Sequence, residues 1–333
     1  MKRSIPLFAA LALVSVAQAG SPPVSSYALA HSYALGGPGH WDYLTFDAPG
    51  NRLFIARDDR VMVVNPDSGR LLGEVHGLKH AHGVALSDDG KMAYVSNGAG
   101  DDVSVVDTST LAVTHTIPVS GHDPDAILLE PASGHVWAMN GHSNSISVID
   151  PAQRKEVASI ALPGNPEFAV SDAHGHVYVN LEDISQLADV DTHSNRLLHT
   201  WSLAPCEGPT GLAMDPAHSR LFSVCANGWL IVTDAYSGAR IAKVRIGKHP
   251  DAVAFDPATQ LVLSTAGATG ELDVVRELDP DHYRLVDHPK TMQGARTLAL
   301  DPRNHRVFTV GAKQASRDAP VEGFTLLELE PGH

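Results

Sequence analysis

Residues 123–150 read DPDAILLEPASGHVWAMNGHSNSISVID and hold most of one unit of a repeat that fills the chain. The unit opens with two polar residues, Asp123 and Asp125, on either side of Pro124. An apolar strand follows and ends in the acidic residue Glu130 before a proline turn. Two more short apolar segments come next, and the last alternates apolar and polar residues as half-buried strands do.

The opening phrase of this unit, called here the polar pair, occurs seven times. Its copies are His40-Trp41-Asp42, His80-Ala81-His82, Asp123-Pro124-Asp125, Asn165-Pro166-Glu167, Gly208-Pro209-Thr210, His249-Pro250-Asp251 and Gly294-Ala295-Arg296. The centres of the second strands recur every 40, 43, 41, 44, 40 and 46 residues, at Phe54, Tyr94, Trp137, Tyr178, Phe222, Val262 and Phe308. A period in the low forties with four short strands per unit is typical of propeller blades. The sequence therefore predicts an all-β, seven-bladed β-propeller with four-stranded antiparallel blades.

The two ends of the repeat array predict how the ring closes. The last unit has three strands, the third from Phe324 to Leu329, and an unassigned strand from Ala28 to Leu35 precedes the first unit. We expect this N-terminal strand to complete the C-terminal blade, because closure removes the free sheet edges. A single propeller domain over residues 20–333 follows from this arrangement.

Residues 1–19 have the pattern of a secretory signal peptide. Lys2 and Arg3 precede an apolar stretch from Ile5 to Val16, and Ala17-Gln18-Ala19 supplies a small-residue cleavage site. The pattern predicts cleavage after Ala19 and a periplasmic protein, with full secretion as the alternative. No later apolar run reaches the length of a transmembrane helix, so we expect no membrane span.

The charge balance bears on the partners of the protein. The chain has 24 Lys and Arg against 38 Asp and Glu, with a formal net charge of -14 at pH 7. Nucleic-acid binding needs clustered basic side chains that displace counterions from phosphates, and the sequence has no basic run. We therefore expect no nucleic-acid partner, whereas an acidic surface suits a cation or simply serves solubility.

Two phrases resemble a repeat of a known family. Ala93-Tyr94-Val95-Ser96-Asn97 with Val103-Ser104-Val105-Val106-Asp107, and Gly121-His122-Asp123-Pro124 with Ala126-Ile127, resemble the YVTN repeat of YncE-like exported seven-bladed propellers. The resemblance covers essentially all of the chain after residue 19. It implies the propeller fold and export, but no catalytic residue, because the family has no shared catalytic signature.

The polar pairs are the candidate binding site. In a propeller the first strand of each blade is innermost, and residues two apart on an extended strand point the same way. We therefore expect both members of each pair to face the axis, in two layers that line an axial funnel. The candidate ligand-binding residues are His40, Asp42, His80, His82, Asp123, Asp125, Glu167, His249, Asp251 and Arg296.

The same funnel is a candidate site for a divalent metal ion, because imidazole and carboxylate groups bind such ions. The candidate metal ligands are His80, His82, His249, Asp125, Glu167 and Asp251. The alternative is a wet channel mouth that is polar without any ligand. Arg296 argues against a purely cationic site, because its guanidinium neutralises an acid or holds an anionic group. His142, Glu182 and Asp183 lie on loops of the same side, either as extensions of the site or as exposed loop residues.

Other histidines and the two cysteines receive simpler interpretations. Turns on the opposite face carry histidines that we interpret as surface residues, namely His135, His174, His176, His218 and His305. Cys206 and Cys225 lie toward the same end of blade 5. An even cysteine count in an oxidising compartment favours a disulfide, and the alternative is that both thiols join a metal site near the axis.

Two classes of function remain open at this point. The first is a binding module that holds a small molecule, a metal ion or a protein partner through the funnel or the rim. The second is a metal-dependent enzyme of the lactonase or lyase type, by analogy with other propellers. The sequence contains no Gly-x-Ser-x-Gly, His-Glu-x-x-His or Gly-rich phosphate motif. This favours the binding module, with a divalent metal ion as the candidate cofactor.

Overall fold

The structure is a computed structural model that describes residues 26–313 and 322–332. These residues are β-strands and their connections, with one 3-10 turn at Gly98–Gly100. The predicted signal peptide, residues 1–19, lies outside the described part. Within the described ranges, no helix has the length and apolar character that a membrane crossing requires.

The strands form seven four-stranded antiparallel sheets, which are the blades. The first strand, β1 (Tyr27–Ala34), precedes blade 1. Blade 1 contains β2 (Leu44–Asp47), β3 (Arg52–Arg57), β4 (Arg60–Val64) and β5 (Leu71–His76). Blade 2 contains β6 (Ala81–Leu86), β7 (Met92–Asn97), β8 (Asp102–Asp107) and β9 (Ala112–Pro118). Blade 3 contains β10 (Pro124–Glu130), β11 (His135–Asn140), β12 (Ser145–Asp150) and β13 (Lys155–Ala161).

The remaining blades repeat this order around the ring. Blade 4 contains β14 (Pro166–Ser171), β15 (His176–Leu181), β16 (Gln186–Asp191) and β17 (Arg196–Ser202). Blade 5 contains β18 (Pro209–Asp215), β19 (Arg220–Cys225), β20 (Trp229–Asp234) and β21 (Arg240–Arg245). Blade 6 contains β22 (Pro250–Asp256), β23 (Leu261–Ala266), β24 (Glu271–Asp279) and β25 (His282–Asp287). Blade 7 contains β26 (Leu298–Asp301), β27 (Arg306–Lys313), β28 (Glu322–Pro331) and β1.

Blade 7 combines strands from both ends of the repeat array. β1 pairs antiparallel with β28, from Tyr27 opposite Pro331 to Ala34 opposite Thr325. The outer edge of the last blade is therefore supplied by residues that precede the first one. The predicted fold, with its closure by the N-terminal strand, is confirmed.

Turn chemistry and aromatic packing explain why the repeat folds in this way. In blade 3 the Asp150 carboxylate accepts the backbone N–H groups of Ala152 and Gln153, each at 2.9 Å, and so fixes the turn after β12. Trp137 is fully buried and packs with Val177 and Val179 of blade 4. Burying an aromatic side chain of this size contributes roughly 3 kcal/mol, so the second-strand aromatics stabilise the contacts between blades.

Arg57 holds the connection from β1 into blade 1. Its side chain is fully buried, and its guanidinium lies 3.7 Å from the ring centre of Phe324 in β28. The carbonyl oxygens of Gly37, Pro38 and Gly39 accept hydrogen bonds from Nη2 at 2.8–3.1 Å. Burial lowers the pKa of Arg57 to about 10. This arginine therefore satisfies a loop whose carbonyl groups have no strand partner.

Candidate functional site

Two backbone distortions place the polar pairs. The first member has a positive φ in several blades, with values of 60° at His80, 58° at Asp123 and 52° at His249. The next residues lie in a β-bulge, because Pro124 pairs with Asn140 but the following paired residue is Ile127. The same register shift occurs in blades 2, 4, 5 and 6. The two polar residues of a pair therefore do not lie on one continuous extended strand. The expectation of two layers facing the axis assumed such a strand, and this assumption does not hold.

The second members of the pairs meet at the axis and form what we call the inner ring. Its members are Asp42, His82, Asp125, Glu167, Asp251 and Arg296. His82 donates its Nδ1–H to Asp42 Oδ2 at 2.6 Å, and the same nitrogen lies 3.5 Å from Asp125 Oδ1. The side chains of His82, Asp42 and Asp125 are only 12–19% exposed. The bulges of separate blades thus bring these side chains into one polar cluster.

Arg296 is the strongest cation of the inner ring. Its Nε lies 2.5 Å from Asp251 Oδ2, and its Nη2 lies 3.8 Å from Asp42 Oδ1. The same Nη2 donates to the backbone carbonyl of Trp41 at 3.2 Å. Neighbouring carboxylates outweigh the effect of burial and raise the pKa of Arg296. It therefore stays charged, and 41% of its side chain remains exposed to the funnel.

Tyr43 reaches from blade 1 to blade 4 beside the inner ring. It follows the blade 1 polar pair but packs against Phe168 of blade 4, with the ring centres 5.1 Å apart. Its hydroxyl donates to Glu167 Oε1 at 3.3 Å. Burial, followed by the charge of Glu167, raises the pKa of Tyr43 well above its usual value. Tyr43 is not among the residues predicted from the sequence, because its apolar neighbours give it the pattern of a strand-core residue.

The inner ring holds more negative than positive groups. Burial, followed by the charge of Asp42, raises the pKa of Asp125 well above its usual value. Burial and then Asp125 do the same for Glu167. Burial raises the pKa of Asp251 to about 6, although Arg296 opposes that rise. Crowded carboxylates of this kind retain protons or attract cations.

A second set of donors lies just outside the inner ring. His82 Nε2 lies 3.0 Å from His80 Nδ1 and 3.7 Å from Asp123 Oδ1. The other Asp123 oxygen lies 3.1 Å from Nδ1 of the exposed His142. We call His80, His82 and Asp123 the mouth triad. His80 and Asp123 are the first members of their polar pairs. They are linked to the inner ring by the imidazole of His82, whose Nε2 faces them and whose Nδ1 contacts Asp42.

The mouth triad has the geometry of a candidate metal centre. Its three donor atoms lie within 4.8 Å of one another, as do those of Asp42, His82 and Asp125. Because Asp42 accepts the Nδ1–H of His82, Nε2 is left as the lone-pair donor toward the mouth triad, as in many histidine–metal sites. The absence of a side chain at Gly98 leaves room here, since a Cβ would lie 2.2 Å from Asp123 Oδ1 and 2.8 Å from His82 Nε2.

The other candidate residues are less closely involved. The side chains of His40 and His249 are exposed, and neither ring hydrogen-bonds to the inner ring among the described residues. Glu182 lies near Glu167, and burial raises the pKa of Glu182. Of the six candidate metal ligands, His80, His82 and Asp125 fall in donor sets, whereas Glu167, Asp251 and His249 do not.

Cys206 and Cys225 are joined in a disulfide within blade 5, with their Cα atoms 5.5 Å apart. Both side chains are buried in an apolar cluster with Leu203 and Leu212. In this state neither sulfur is a thiolate ligand for the funnel.

Several histidines on the opposite face have buried partners that the sequence did not reveal. His176 lies 2.7 Å from Asp189, and His305 lies 2.7 Å from Asp256. His218 contacts both Asp215 and Glu277. These three histidines are partly exposed, as the surface interpretation expects, but each also contacts a buried carboxylate that the interpretation did not include.

Comparison with known proteins agrees with this architecture. No known family profile matches the chain. A stretch of 134 residues is 30% identical to the seven-bladed beta-propeller protein Rv1057 of Mycobacterium tuberculosis, and the match spans 38% of this chain and 34% of that protein. The chain is a seven-bladed β-propeller. The chain therefore spans only about a third of the length of this Mycobacterium tuberculosis relative.

Two solved structures are similar over nearly their whole length. A chain of the Kuenenia stuttgartiensis hydrazine synthase has a TM-score of 0.71 at 18% identity, over 90% of this chain and 96% of that one. A chain of the mitotic checkpoint complex has a TM-score of 0.75 at 15% identity, over 98% of this chain and 99% of that one. At these identities the likeness shows the fold alone.

Proposed function

We propose that this propeller is a binding module that holds a divalent transition-metal ion in the mouth triad, His80, His82 and Asp123. The observation that carries the proposal is the Asp42–His82 hydrogen bond of 2.6 Å, which directs His82 Nε2 toward the other two donors. Two imidazoles and one carboxylate suit Zn²⁺ and related ions. The crowded acids beneath the triad add a favourable negative potential.

We propose that the inner ring then holds a small polar ligand beside the ion. Arg296 offers an exposed guanidinium for an anionic group of that ligand. Asp125 and Glu167, whose pKa values are raised by burial, offer carboxyl groups as hydrogen-bond partners for the ligand. Tyr43 reaches across to blade 4 beside the inner ring, which favours a small molecule over an inserted protein segment. The alternative within the binding-module class is a protein partner held on the rim of the propeller.

A metal-dependent hydrolase or lyase, such as a lactonase, is the second candidate. The observation that favours it is a carboxyl of raised pKa, Asp125, close to the proposed ligand His82. A carboxyl of raised pKa is suited to proton transfer, while a bound ion would polarise a carbonyl or lower the pKa of water. Turnover of simple lactones by metal-loaded protein that is lost in Asp125→Asn would favour this candidate over the binding module.

Metal titration of the tag-free protein tests the binding module. The protein is stripped with a chelator and titrated calorimetrically with Zn²⁺ at pH 8, where competition from protons at His82 is reduced. His82→Ala and Asp123→Asn should each weaken one binding event at least about 10-fold. His174→Gln is the matched control, because His174 is an exposed histidine in a distant turn. Equal isotherms for the wild type and His82→Ala would contradict the proposal.

We also propose that the chain is an exported member of the YVTN-repeat, YncE-like group. The supporting features are the charged and apolar pattern of residues 1–19 and the two YVTN-like phrases in blades 2 and 3. Expression of the full chain with cell fractionation tests export. The expected result is a periplasmic protein whose first residue is Gly20, and a cytoplasmic protein that retains Met1 would refute it.

A further inference from the structure

A separate group of ligand-type side chains lies at the far face, in the seam between blades 5 and 6. His218 Nδ1 lies 2.5 Å from Asp215 Oδ2 and 3.2 Å from Glu277 Oε1. Asp215 ends β18 and His218 belongs to the turn that follows, whereas Glu277 lies on β24. This end of β18 is opposite the end that carries the polar pair, so the group is independent of the axial funnel.

Glu277 is the unusual member of this seam cluster. Its side chain is 1% exposed, and its ion-pair contact is with His218 at 3.2 Å. Neither carboxylate oxygen accepts a well-formed hydrogen bond among the described residues, and the nearby Tyr283 hydroxyl donates to the carbonyl of Pro280. Burying a carboxylate without a partner costs several kcal/mol, so such groups are normally paired or bound to a metal. Its closest carboxyl neighbour is Asp215, whose side chain is also 1% exposed.

The surrounding charges leave the seam cluster short of positive charge. Burial, followed by the charge of Asp215, raises the pKa of Glu277. Arg220 is the nearby cation, but it donates to Asp234 at 2.7 Å and to Asp281 at 3.1 Å. The two buried carboxylates of the cluster therefore share a single imidazole that is 38% exposed.

Blade 7 provides a comparison within the same molecule. His305 occupies the corresponding turn, and its Nδ1 lies 2.7 Å from Oδ2 of Asp256, whose side chain is 1% exposed. This pair is self-sufficient, and among the described residues it belongs to no three-membered donor set. A histidine–aspartate pair thus needs no third ligand to form in this fold. The added buried carboxylate of Glu277 is the feature that requires another explanation.

We propose that Asp215, His218 and Glu277 bind a second divalent metal ion, which cross-links blades 5 and 6. Their three donor atoms lie within 4.8 Å of one another. One imidazole nitrogen with two carboxylate oxygens suits Zn²⁺ or Mn²⁺, with water in the remaining position. Ligands of a tetrahedral Zn²⁺ lie roughly 3.3 Å apart, so the His218 ring moves outward slightly when the ion enters from solvent. The exposed side of that ring provides the entry path.

Zn²⁺ titration in a funnel-deficient background tests the seam site. The full tag-free chain carrying His82→Ala should still bind one Zn²⁺ and should melt at a higher temperature when Zn²⁺ is present. Adding Glu277→Gln to this chain should weaken that event at least about 10-fold and abolish the thermal shift. Adding His305→Gln instead should change neither, because that pair lacks the third carboxylate.

The outcomes separate this site from the funnel. Equal isotherms for His82→Ala with and without Glu277→Gln would overturn the seam site, and so would the absence of Zn²⁺ binding in His82→Ala. The first result would not affect the proposal for the mouth triad, because that proposal is tested by comparing the wild type with His82→Ala. Glu277→Gln removes a buried charge, so we expect it to fold, and far-ultraviolet circular dichroism checks this. His218→Gln is the second variant, and it should lose the same binding event.

Discussion

Asp125→Asn should stabilise the metal-free protein at pH 8. The pKa of Asp125 is raised well above its usual value by burial and by Asp42, so its ionisation opposes folding. For scale, moving the pKa of Asp251 from 3.8 to about 6 corresponds to roughly 3 kcal/mol. Asparagine has the same shape as aspartate without the charge. Because the coupled acids share the cost of ionisation, the expected gain in the free energy of unfolding is about 1–3 kcal/mol. In a protein of this size that gain is a rise of about 2–5 °C in melting temperature.

The pH dependence gives this prediction its sign. An acid whose pKa is raised by folding contributes stability below its unfolded pKa and loses it as the pH rises through the folded value. The wild type should therefore lose stability as the pH rises above about 4, and Asp125→Asn should lose less. Thermal melts with a chelator at pH 4.5 and pH 8 measure both. A variant that melts lower than the wild type at pH 8 would refute the reasoning, because Asp125 would then be a structural hydrogen-bond partner.

Three further substitutions test other parts of the structure. Gly98→Ala should weaken Zn²⁺ binding in the mouth triad at least about 10-fold, because the new Cβ would lie 2.2 Å from Asp123 Oδ1. Gly141→Ala is the control, since it changes the same position of blade 3 and its Cβ would meet no atom closer than 3.4 Å. Equal Zn²⁺ affinities of the two variants in calorimetry would contradict this prediction. Arg57→Met should cost about 3–5 kcal/mol in chemical denaturation, because it removes the Arg57 donor from the carbonyls of Gly37 and Gly39 and leaves Pro38 with Arg60 alone; a loss below about 1 kcal/mol would show that Arg57 does not hold this loop. Cys225→Ser removes a disulfide of sequence separation 19, and denaturation should show a loss of roughly 3 kcal/mol that reduction of the wild type reproduces.

The fold was predictable because its determinants are local. Each blade carries its own turn residues, strand periodicity and large apolar centre, such as Trp137 in blade 3, and seven copies reinforce the same interpretation. Closure was predictable because a three-stranded last unit and an unpaired first strand leave one consistent arrangement. Blade 4 follows the same plan, with Gln186–Asp191 as its third strand.

The site was less predictable because its contacts join distant blades. The polar pairs marked where the funnel lies, but the positive φ at His80 and the bulge at Asp125 decide which side chains meet. Tyr43 reads as a strand residue until its contact across the axis is known. Glu277 reads as one acid in a charged strand, and only the blade 5 turn beside it shows that its carboxylate is buried. A periodic sequence specifies each blade well and specifies the contacts between blades poorly.

The pairing of β1 with β28 also sets the order of events during synthesis. Tyr27 meets Pro331, and closing a loop of roughly 300 residues costs about 5 kcal/mol of chain entropy, so this contact forms late. The inner ring spans that join, since Thr297 Oγ1 donates to the carbonyl of Asp42 at 2.9 Å. A nascent chain that has released blades 1–3 from the ribosome carries His82 and Asp125 but lacks Arg296. The complete inner ring therefore exists only after the first strand of blade 7 has joined the ring, and ligand binding in the funnel would report that blades 1 and 7 have met.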